Sequence, residues 1–134
     1  MRNEIIKNKK GNIGWMIESW DRKSVFYYQQ VEVISCGKIQ MALRDHKNGK
    51  TIGHHFYPNM ELYVDESVAK AKAVEMANRF IEDQKRLIKS RISENQSEQN
   101  PCPHYNKTME EKLAFFESVT GKGEAHERAE LLNN

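Results

Sequence analysis

Residues 65–92, DESVAKAKAVEMANRFIEDQKRLIKSRI, decide the fold of this chain. Asp65 suits the N-cap of a helix, because its carboxylate can accept hydrogen bonds from the free backbone N–H groups of the first turn. Apolar residues then recur at three- and four-residue steps, and neither Pro nor Gly interrupts them. We therefore predict one long amphipathic helix, whose apolar stripe comprises Ala69, Ala73, Met76, Ala77, Phe80, Leu87, Ile88 and Ile92.

The length of this predicted helix creates a packing problem. At about 1.5 Å per residue the helix is roughly 40 Å long, whereas a typical strand of a small sheet spans about 20 Å. The helix is therefore expected to extend beyond the sheet on which it packs. Its far half needs a second partner, either from the same chain or from another molecule.

The residues before the helix predict strands. Segments 13–20 and 25–35 are rich in β-branched and aromatic residues, which pack well on a pleated sheet. A third strand is predicted at about 39–46, and a fourth ends at Pro58, which cannot donate to a strand ladder. The predicted fold is α+β: an antiparallel meander of three to four strands with the long helix packed on one face, and a short C-terminal helix after a linker.

The turn after the second predicted strand sets its register with the third. If residues 36–38 form a three-residue loop, Val33 faces Met41 and Val31 faces Leu43. A two-residue loop would instead place Glu32 opposite Met41, on the face that must be buried. We therefore predict the three-residue loop, in which Gly37 supplies the left-handed backbone conformation.

The Asn48-Gly49 pair predicts a two-residue type I′ turn between the third and fourth strands. We expect the long helix to lie across the apolar face that this register creates. The register pairs Leu43 with His54, Met41 with Phe56 and Asp45 with Ile52, so that the apolar face carries Ile39, Met41, Leu43, Ile52 and Phe56.

The C-terminal part of the chain changes character. Residues 94–107 are polar and lack periodicity, which predicts a linker. Thr108 and Glu111 have the spacing of a capping box, so a short helix is predicted to begin at Thr108 and to stop at Gly121, with a last turn or two in 124–132. The predicted organisation is a flexible basic arm at 1–12, an α+β domain at 13–93, a linker at 94–107 and a C-terminal helical segment at 108–134.

Composition argues against several classes of protein. The 134 residues carry a formal net charge of +2, which is too small to predict nucleic-acid binding by itself. No apolar run approaches the roughly 18 residues of a membrane span, and the basic N-terminus lacks the apolar core of a signal peptide. Cys36 and Cys102 are far apart in sequence, so we expect two free thiols in a cytoplasmic protein.

The sequence offers little support for an enzyme or a metal protein. His54 and His55 point to opposite faces of a strand, so they cannot both bind one metal ion without a bulge. Cys36 lies in a turn, but no general base or oxyanion hole is evident for it. We therefore expect no catalytic residues, no metal site and no cofactor.

Excess apolar surface favours a protein-binding function. The first two predicted strands are apolar on both faces, which is more than one helix covers. The C-terminal helix is expected either to fold back as a cover or to dock into another protein. We expect a host protein, or self-association, to use the long helix and the C-terminal helix, with a binding surface formed by Trp15, Trp20, Tyr28, Leu113, Phe115, Phe116 and Val119.

Nucleic-acid binding is the alternative. A mixed cationic and aromatic sheet face, a basic hairpin tip and the basic end of the helix can contact phosphates and stack on bases, although an ordinary solvated polar face would look the same. The candidate residues are Arg44, His46, Lys47, Lys50, His55, Tyr57, Lys85, Arg86 and Lys89.

A resemblance of architecture bears on both functions. The predicted meander and helix, from Ile13 to about Phe80, resemble the small sheet-and-helix DNA-binding modules of some phage integrase arms, which implies a DNA-binding role. The short chain with charged tails also resembles small accessory proteins of phages or plasmids, many of which bind a host protein. The leading prediction is a small non-enzymatic binding protein, an inhibitor or adaptor of phage or mobile-element origin.

Overall fold

The protein has an α+β fold, in which a four-stranded sheet carries one long and one shorter helix. A computed structural model describes residues 3–19 and 23–128. The predicted fold class is confirmed. The elements in chain order are β1 (Ile13–Glu18), β2 (Val25–Cys36), β3 (Met41–Asp45), α1 (Glu66–Gln96), α2 (Pro103–Ser118) and β4 (Glu124–Glu127).

The long helix α1 begins where the sequence predicts it and ends later. Asp65 is the N-cap, and its Oδ1 accepts a hydrogen bond from the Val68 N–H at 2.9 Å. The helix continues past Ile92 to Gln96, because Asn95 ties its last turn to the next element. The Asn95 side chain donates to the Cys102 carbonyl oxygen and to Asn106 Oδ1, both at 2.9 Å.

The second helix starts earlier than predicted. α2 begins at Pro103, which suits the first position of a helix because proline lacks the N–H that would be unsatisfied there. Thr108 is inside the helix and donates to the His104 carbonyl oxygen at 3.0 Å, so it is not the N-cap. The connection between the two helices is therefore only residues 97–102, shorter than the predicted linker at 94–107.

The strand β2 is central in the sheet. It pairs antiparallel with β1 and, through residues 31–36, with β3, while residues 25–28 pair with β4 in parallel. Helical turns are predicted from the sequence for the β4 segment, and that prediction is wrong for 124–127. Ala125 packs in the cluster beneath α1, and the backbone of β4 pairs along a part of β2 that β3 does not reach.

The predicted registers of both hairpins need correction. Val33 pairs with Leu43 and, after a bulge, Cys36 pairs with Met41, so the loop after β2 is residues 37–40 and the predicted three-residue loop is wrong. After β3, the Lys47 and Asn48 N–H groups donate to Asp45 Oδ1, each at 2.8 Å. These bonds replace the predicted two-residue turn with a wider reversal.

The predicted fourth strand is reduced to isolated bridges. Met41 pairs with Phe56 as predicted, but Arg44 pairs with Thr51, which is not the predicted register near the turn. Ile39 lies in the loop and its side chain is 85% exposed, although the sequence places it on the apolar face. The turn geometry at Asp45 shifts the register of the returning chain and leaves the short segment 50–56 irregular.

The two faces of the sheet are covered by different parts of the chain. Among the described residues, α1 contacts β1, β2 and β4 but not β3. The helix therefore does not lie across the face that carries Met41 and Leu43, as the sequence predicts. One face packs Trp15, Phe26, Tyr28 and Tyr63 against Ala69, Ala73 and Ala77 of α1, and the other packs Met16, Val31, Val33, Met41 and Leu43 with Phe56 and Leu62.

The N-terminal segment takes part in this second layer. The Ile6 N–H donates to the Leu62 carbonyl oxygen at 2.9 Å, and the Gly11 N–H donates to the Val33 carbonyl oxygen at 2.8 Å. Asn8 Nδ2 donates to two carbonyl oxygens of the connector before α1. This segment is thus hydrogen-bonded to β2 and to the connector before α1.

Candidate functional site

The second helix covers the part of α1 that extends beyond the sheet. The Phe80 and Phe116 ring centroids lie 6.1 Å apart at one end, and Asn95 contacts Cys102 and Asn106 at the other, so the helices are antiparallel. The buried contact comprises Ile81, Ile88, Met109 and Phe116, with Phe80, Ile92, Leu113 and Val119 packed around it. The C-terminal helix therefore folds back, but onto α1 and not onto the sheet.

A groove runs beside this contact and has a volume of about 750 Å³. We call it the α1–α2 groove. Two large apolar side chains in it remain exposed, Leu87 at 40% and Phe115 at 37%. Its apolar lining comprises Phe80, Leu87, Ile88, Met109, Phe115 and Phe116, and its polar lining comprises Lys23, Gln84, Arg91, Thr108, Glu111 and Lys112.

Helical spacing explains why these side chains stay exposed. Leu87 follows the groove-facing residue Gln84 by three positions, and Phe115 follows Lys112 by three, so each belongs to a stripe beside the contact stripe of its helix. Two helices in contact bury one stripe each. The neighbours Ile88 and Phe116 occupy the buried stripe, which leaves Leu87 and Phe115 on the flank of the pair.

Cations dominate the rim of the α1–α2 groove. Lys23 Nζ lies 5.9 Å from the centroid of the Phe115 ring, which is within the range of a cation–π contact. Arg91 on α1 and Lys112 on α2 stand on the two opposite walls, and Glu111 is the one acidic residue among the lining side chains that the structure describes. Neither Arg91 nor Lys112 forms a salt bridge with a described residue.

The predicted partner-binding residues are divided by the fold. Trp15 and Tyr28 are buried beneath α1, with ring centroids 5.9 Å apart, so they form core and not surface. Phe116 is buried against α1, and Leu113 and Val119 pack around the same contact. Phe115 is the predicted residue that stays exposed in the α1–α2 groove, and Trp20 lies outside the described residues.

Sequence reasoning missed the α1 wall of the groove. Leu87 belongs to the predicted apolar stripe, but the sequence did not predict that it stays exposed in a groove that Arg91 and Lys112 also line. A usable signal exists in the sequence, since Leu87-Ile88 and Phe115-Phe116 are adjacent apolar pairs on helices. Adjacent residues lie about 100° apart on a helix, so one partner helix cannot bury both members of a pair.

Ion pairs occupy several cations of the alternative nucleic-acid site. Arg44 Nη2 lies 3.0 Å from Glu32 Oε2, and Lys85 Nζ lies 3.0 Å from Glu82 Oε1. Arg86 similarly pairs with a neighbouring aspartate on α1. These cations are partly neutralised within the protein, which reduces what they offer to phosphates.

Lys47 makes two contacts within the protein. Its Nζ pairs with the Glu127 carboxylate and lies 5.7 Å from the centroid of the Trp15 ring. The hydrogen bond to Glu127 raises the pKa of Lys47, and the charge of Glu66 at the start of α1 contributes to the increase. Lys47 therefore joins the hairpin tip to β4 and lies near the first turn of α1.

The two predicted basic clusters do not form one surface. The hairpin tip lies near the start of α1, whereas Lys85 and Lys89 are about 30 Å further along the same helix at about 1.5 Å per residue. His46, Lys50 and His55 are exposed on the hairpin side, where Tyr57 is 80% exposed. The structure thus separates the candidate residues into a hairpin group and a helix group.

The histidines and cysteines do not assemble into a reactive site within residues 3–19 and 23–128. His54 packs on Phe56, with ring centroids 4.5 Å apart, and its Nε2 lies 3.7 Å from Glu18 Oε1. No three His, Cys, Asp or Glu side chains of that region converge to hold a metal ion. Cys36 and Cys102 are both free cysteines.

Comparisons with known proteins leave function to be argued from the structure. The chain matches no family model, no curated protein and no solved structure. Neither helix in the described part of the chain combines the length and the apolar character that crossing a membrane requires.

Proposed function

We propose that this protein is a non-enzymatic protein-binding module, an inhibitor or adaptor, whose partner docks in the α1–α2 groove. The observation that carries the proposal is the exposure of Leu87 and Phe115 in an apolar groove that the described chain leaves open. Aromatic and aliphatic side chains in such a groove are the usual anchors of a protein interface.

The shape of the groove supports a macromolecular partner. Its two walls are helices, and each helix contributes apolar side chains and at least one charged side chain to the lining. This arrangement has the apolar core and polar rim of a protein interface. A small-molecule site would be expected to have a few convergent polar groups in an enclosed cavity, whereas the charged lining residues Arg91, Glu111 and Lys112 are exposed to solvent.

The proposal includes a cytoplasmic location and an origin in a phage or another mobile element. The location is supported by Cys36 and Cys102, which are free thiols as expected in a reducing compartment. The origin stays a prediction from chain length and composition. Nucleic-acid binding remains the alternative prediction, and it has weaker support because Arg44, Lys47 and Lys85 are paired with carboxylates.

Peptide-display selection on the immobilised full chain tests the groove. Peptides enriched on the wild type are measured against a Leu87→Ser, Phe115→Ser double variant, which removes both exposed anchors. We expect binding to weaken by at least about tenfold, because loss of an anchor typically costs more than 1 kcal/mol.

A second double variant controls for the loss of exposed apolar surface. Ile39→Ser with Tyr57→Ser removes two side chains that are more exposed but do not line the groove. We expect this variant to bind the enriched peptides as the wild type does. Peptides that bind all three proteins equally would refute the groove as the docking site, and circular dichroism confirms that each variant is folded.

A further inference from the structure

We infer that the α1–α2 groove takes an amphipathic helix whose apolar stripe is flanked by Asp and Glu residues. This inference rests on the proposed function and specifies the chemistry of the partner. It depends on three features of the groove: helical walls, the length of the exposed stripes and the signs of the rim charges.

Helical walls favour a helical occupant. The backbone N–H and C=O groups within α1 and α2 are bonded inside each helix, so the walls offer side chains but no free strand edge. An extended peptide docked here would leave its own backbone groups without partners in an apolar groove, which is unfavourable. A helix satisfies its backbone internally and can pack as a third helix against the two walls.

The exposed stripes set the length of the contact. On α1 the groove-facing residues run from Phe80 to Arg91, which is about 16 Å at about 1.5 Å per residue. On α2 they run from Thr108 to Phe116, about 12 Å. The groove therefore fits about three turns of a partner helix, enough for apolar residues spaced like those of a single amphipathic stripe.

The positive charges of the groove favour a helix with acidic residues beside its apolar stripe. Arg91 on one wall and Lys112 on the other would lie on either side of a bound helix, and neither has a salt-bridge partner among the residues that the structure describes. Acidic side chains beside the apolar stripe would meet these cations. Such complementary pairs contribute mainly to partner selection and association rate.

The same charges argue against a second copy of this chain as the occupant. In a two-fold dimer the same patch meets itself, so the Arg91 and Lys112 side chains of both copies would be brought together. Like charges at close range oppose such an association. The chain's own last strand also leads away, because β4 runs parallel to β2 from Val25 toward Tyr28, away from the groove residue Lys23.

Two synthetic peptides test the charge preference. Both are fluorescein-labelled 16-residue helices with the same leucine stripe, and the flanking positions are Glu in one and Lys in the other. Fluorescence anisotropy with the full chain measures each dissociation constant. We expect the Glu-flanked peptide to bind at least about tenfold more tightly, and an Arg91→Glu, Lys112→Glu variant to reverse that preference.

A matched variant controls for net charge. Lys89→Glu with Lys107→Glu makes the same charge change on the same two helices, at exposed positions that do not line the groove. We expect it to keep the preference for the Glu-flanked peptide. Binding of neither peptide, equal binding of both, or a reversal that the control variant also produces would overturn the inference.

Failure of this inference is distinguishable from failure of the proposed function. Display selection that returns peptides dependent on Leu87 and Phe115, but basic or extended ones, would overturn the acidic helix and leave the docking groove intact. Selection that returns no peptide dependent on those two residues would overturn the function itself. A dimer in sedimentation equilibrium that the Leu87→Ser, Phe115→Ser variant abolishes would identify a second copy as the occupant, contrary to the inference.

Discussion

Gly123 lies just before β4, where the chain passes close to α1. Its N–H donates to Asn78 Oδ1 at 2.7 Å, and a methyl group added here would lie 2.8 Å from the Ala77 Cβ and 2.8 Å from the Asn78 backbone nitrogen. Backbone atoms of a packed helix cannot move aside easily. We therefore expect Gly123→Ala to lower the free energy of unfolding by about 1–3 kcal/mol, measured by urea denaturation.

Gly53→Ala is the matched control for this substitution. Nothing lies within 4 Å of a methyl group added to Gly53. We expect the free energy of unfolding to change by less than about 0.5 kcal/mol. Equal destabilisation by the two substitutions would contradict the close packing of the Gly123 backbone on α1.

The Asp45 carboxylate closes the turn after β3. Besides the two backbone N–H groups of the turn, it accepts a hydrogen bond from Gln29 Nε2 at 2.6 Å. Partial burial alone would raise the pKa of Asp45, but the hydrogen bonds from Gln29, Asn48 and Lys47 outweigh it and lower the pKa below its ordinary value. A lowered folded-state pKa stabilises the fold above the unfolded pKa of about 3.9, and this contribution is lost as the pH falls through the folded-state pKa.

Replacing this carboxylate tests the pH dependence. Asp45→Asn keeps an acceptor for the turn but removes the charge, so we expect a loss of about 1 kcal/mol at neutral pH. The difference from the wild type should shrink as the pH falls below about 4, because the wild-type carboxylate becomes neutral. Urea denaturation of both proteins between pH 3 and pH 7 measures this difference in unfolding free energy.

An exposed carboxylate provides the comparison. Glu98 is exposed in the connection between the helices, so Glu98→Gln removes a carboxylate remote from the turn and is expected to change the free energy of unfolding at pH 7 by less than about 0.5 kcal/mol. If the difference in unfolding free energy between the wild type and Asp45→Asn were constant from pH 3 to pH 7, the charge of Asp45 could not be the cause of that difference.

At the scale of elements, the Asn95 side chain closes the connection between α1 and α2. Asn95 donates to the Cys102 carbonyl oxygen and Asn106 Oδ1, and its Oδ1 accepts from the Cys102 N–H at 3.2 Å. We expect Asn95→Ala to destabilise the docking of α2 by about 1–2 kcal/mol, because these bonds are lost together. Hydrogen exchange should become faster for α2 amides and remain unchanged for β2 amides.

The neighbouring residue provides the control for this element. Gln96 is exposed at the end of α1, and Gln96→Ala removes a polar side chain of similar size without touching the Asn95 bonds. We expect its exchange pattern to match the wild type. Faster exchange throughout both helices in the Asn95→Ala variant, with β2 equally affected, would show that α2 is not a separately opening unit.

Local signals predicted the start of α1 but not its end. Asp65 is an N-cap in the sequence and in the structure, because capping depends on atoms within one turn. The end of the helix depends on Asn95 reaching Cys102 and Asn106, which are contacts between elements. The predicted register of the hairpin after β3 is wrong for a related reason. The Asp45 side chain accepts hydrogen bonds from two backbone N–H groups, and the turn is wider than predicted.

At the scale of the whole molecule, the apolar residues on both faces of the first two strands have an internal explanation. Trp15 and Tyr28 face α1, whereas Met16 and Val31 face the opposite layer. That layer is built from residues 3–12 and the connector before α1, which have no helical or strand periodicity. Periodicity can therefore identify a strand with apolar residues on both faces, but it cannot identify the irregular segment that covers the second face.

Periodicity likewise predicted one part of the candidate site and not the other. The overlong α1 correctly indicated that its far half needs a partner, and α2 supplies most of that cover. Phe115 was predicted as a binding residue and lies exposed in the α1–α2 groove. The opposite wall, with Leu87 and Arg91, became recognisable only once the antiparallel packing of the two helices was known.

Charge distribution over the whole molecule leads to the last prediction, which separates protein binding from nucleic-acid binding. Each phosphate that a protein neutralises contributes about −0.9 to the slope of log K against log salt concentration. Because Lys47 and Lys85 are both paired with carboxylates, and because the hairpin tip and Lys85 lie near opposite ends of α1, we expect a slope for duplex DNA no steeper than about −2. A salt titration with the wild type and a Lys47→Glu, Lys50→Glu variant measures it, with Lys9→Glu, Lys10→Glu as the charge-matched control. Steep salt dependence that the hairpin variant alone removes would favour the nucleic-acid alternative, since it would mean that phosphate displaces Glu127 from Lys47.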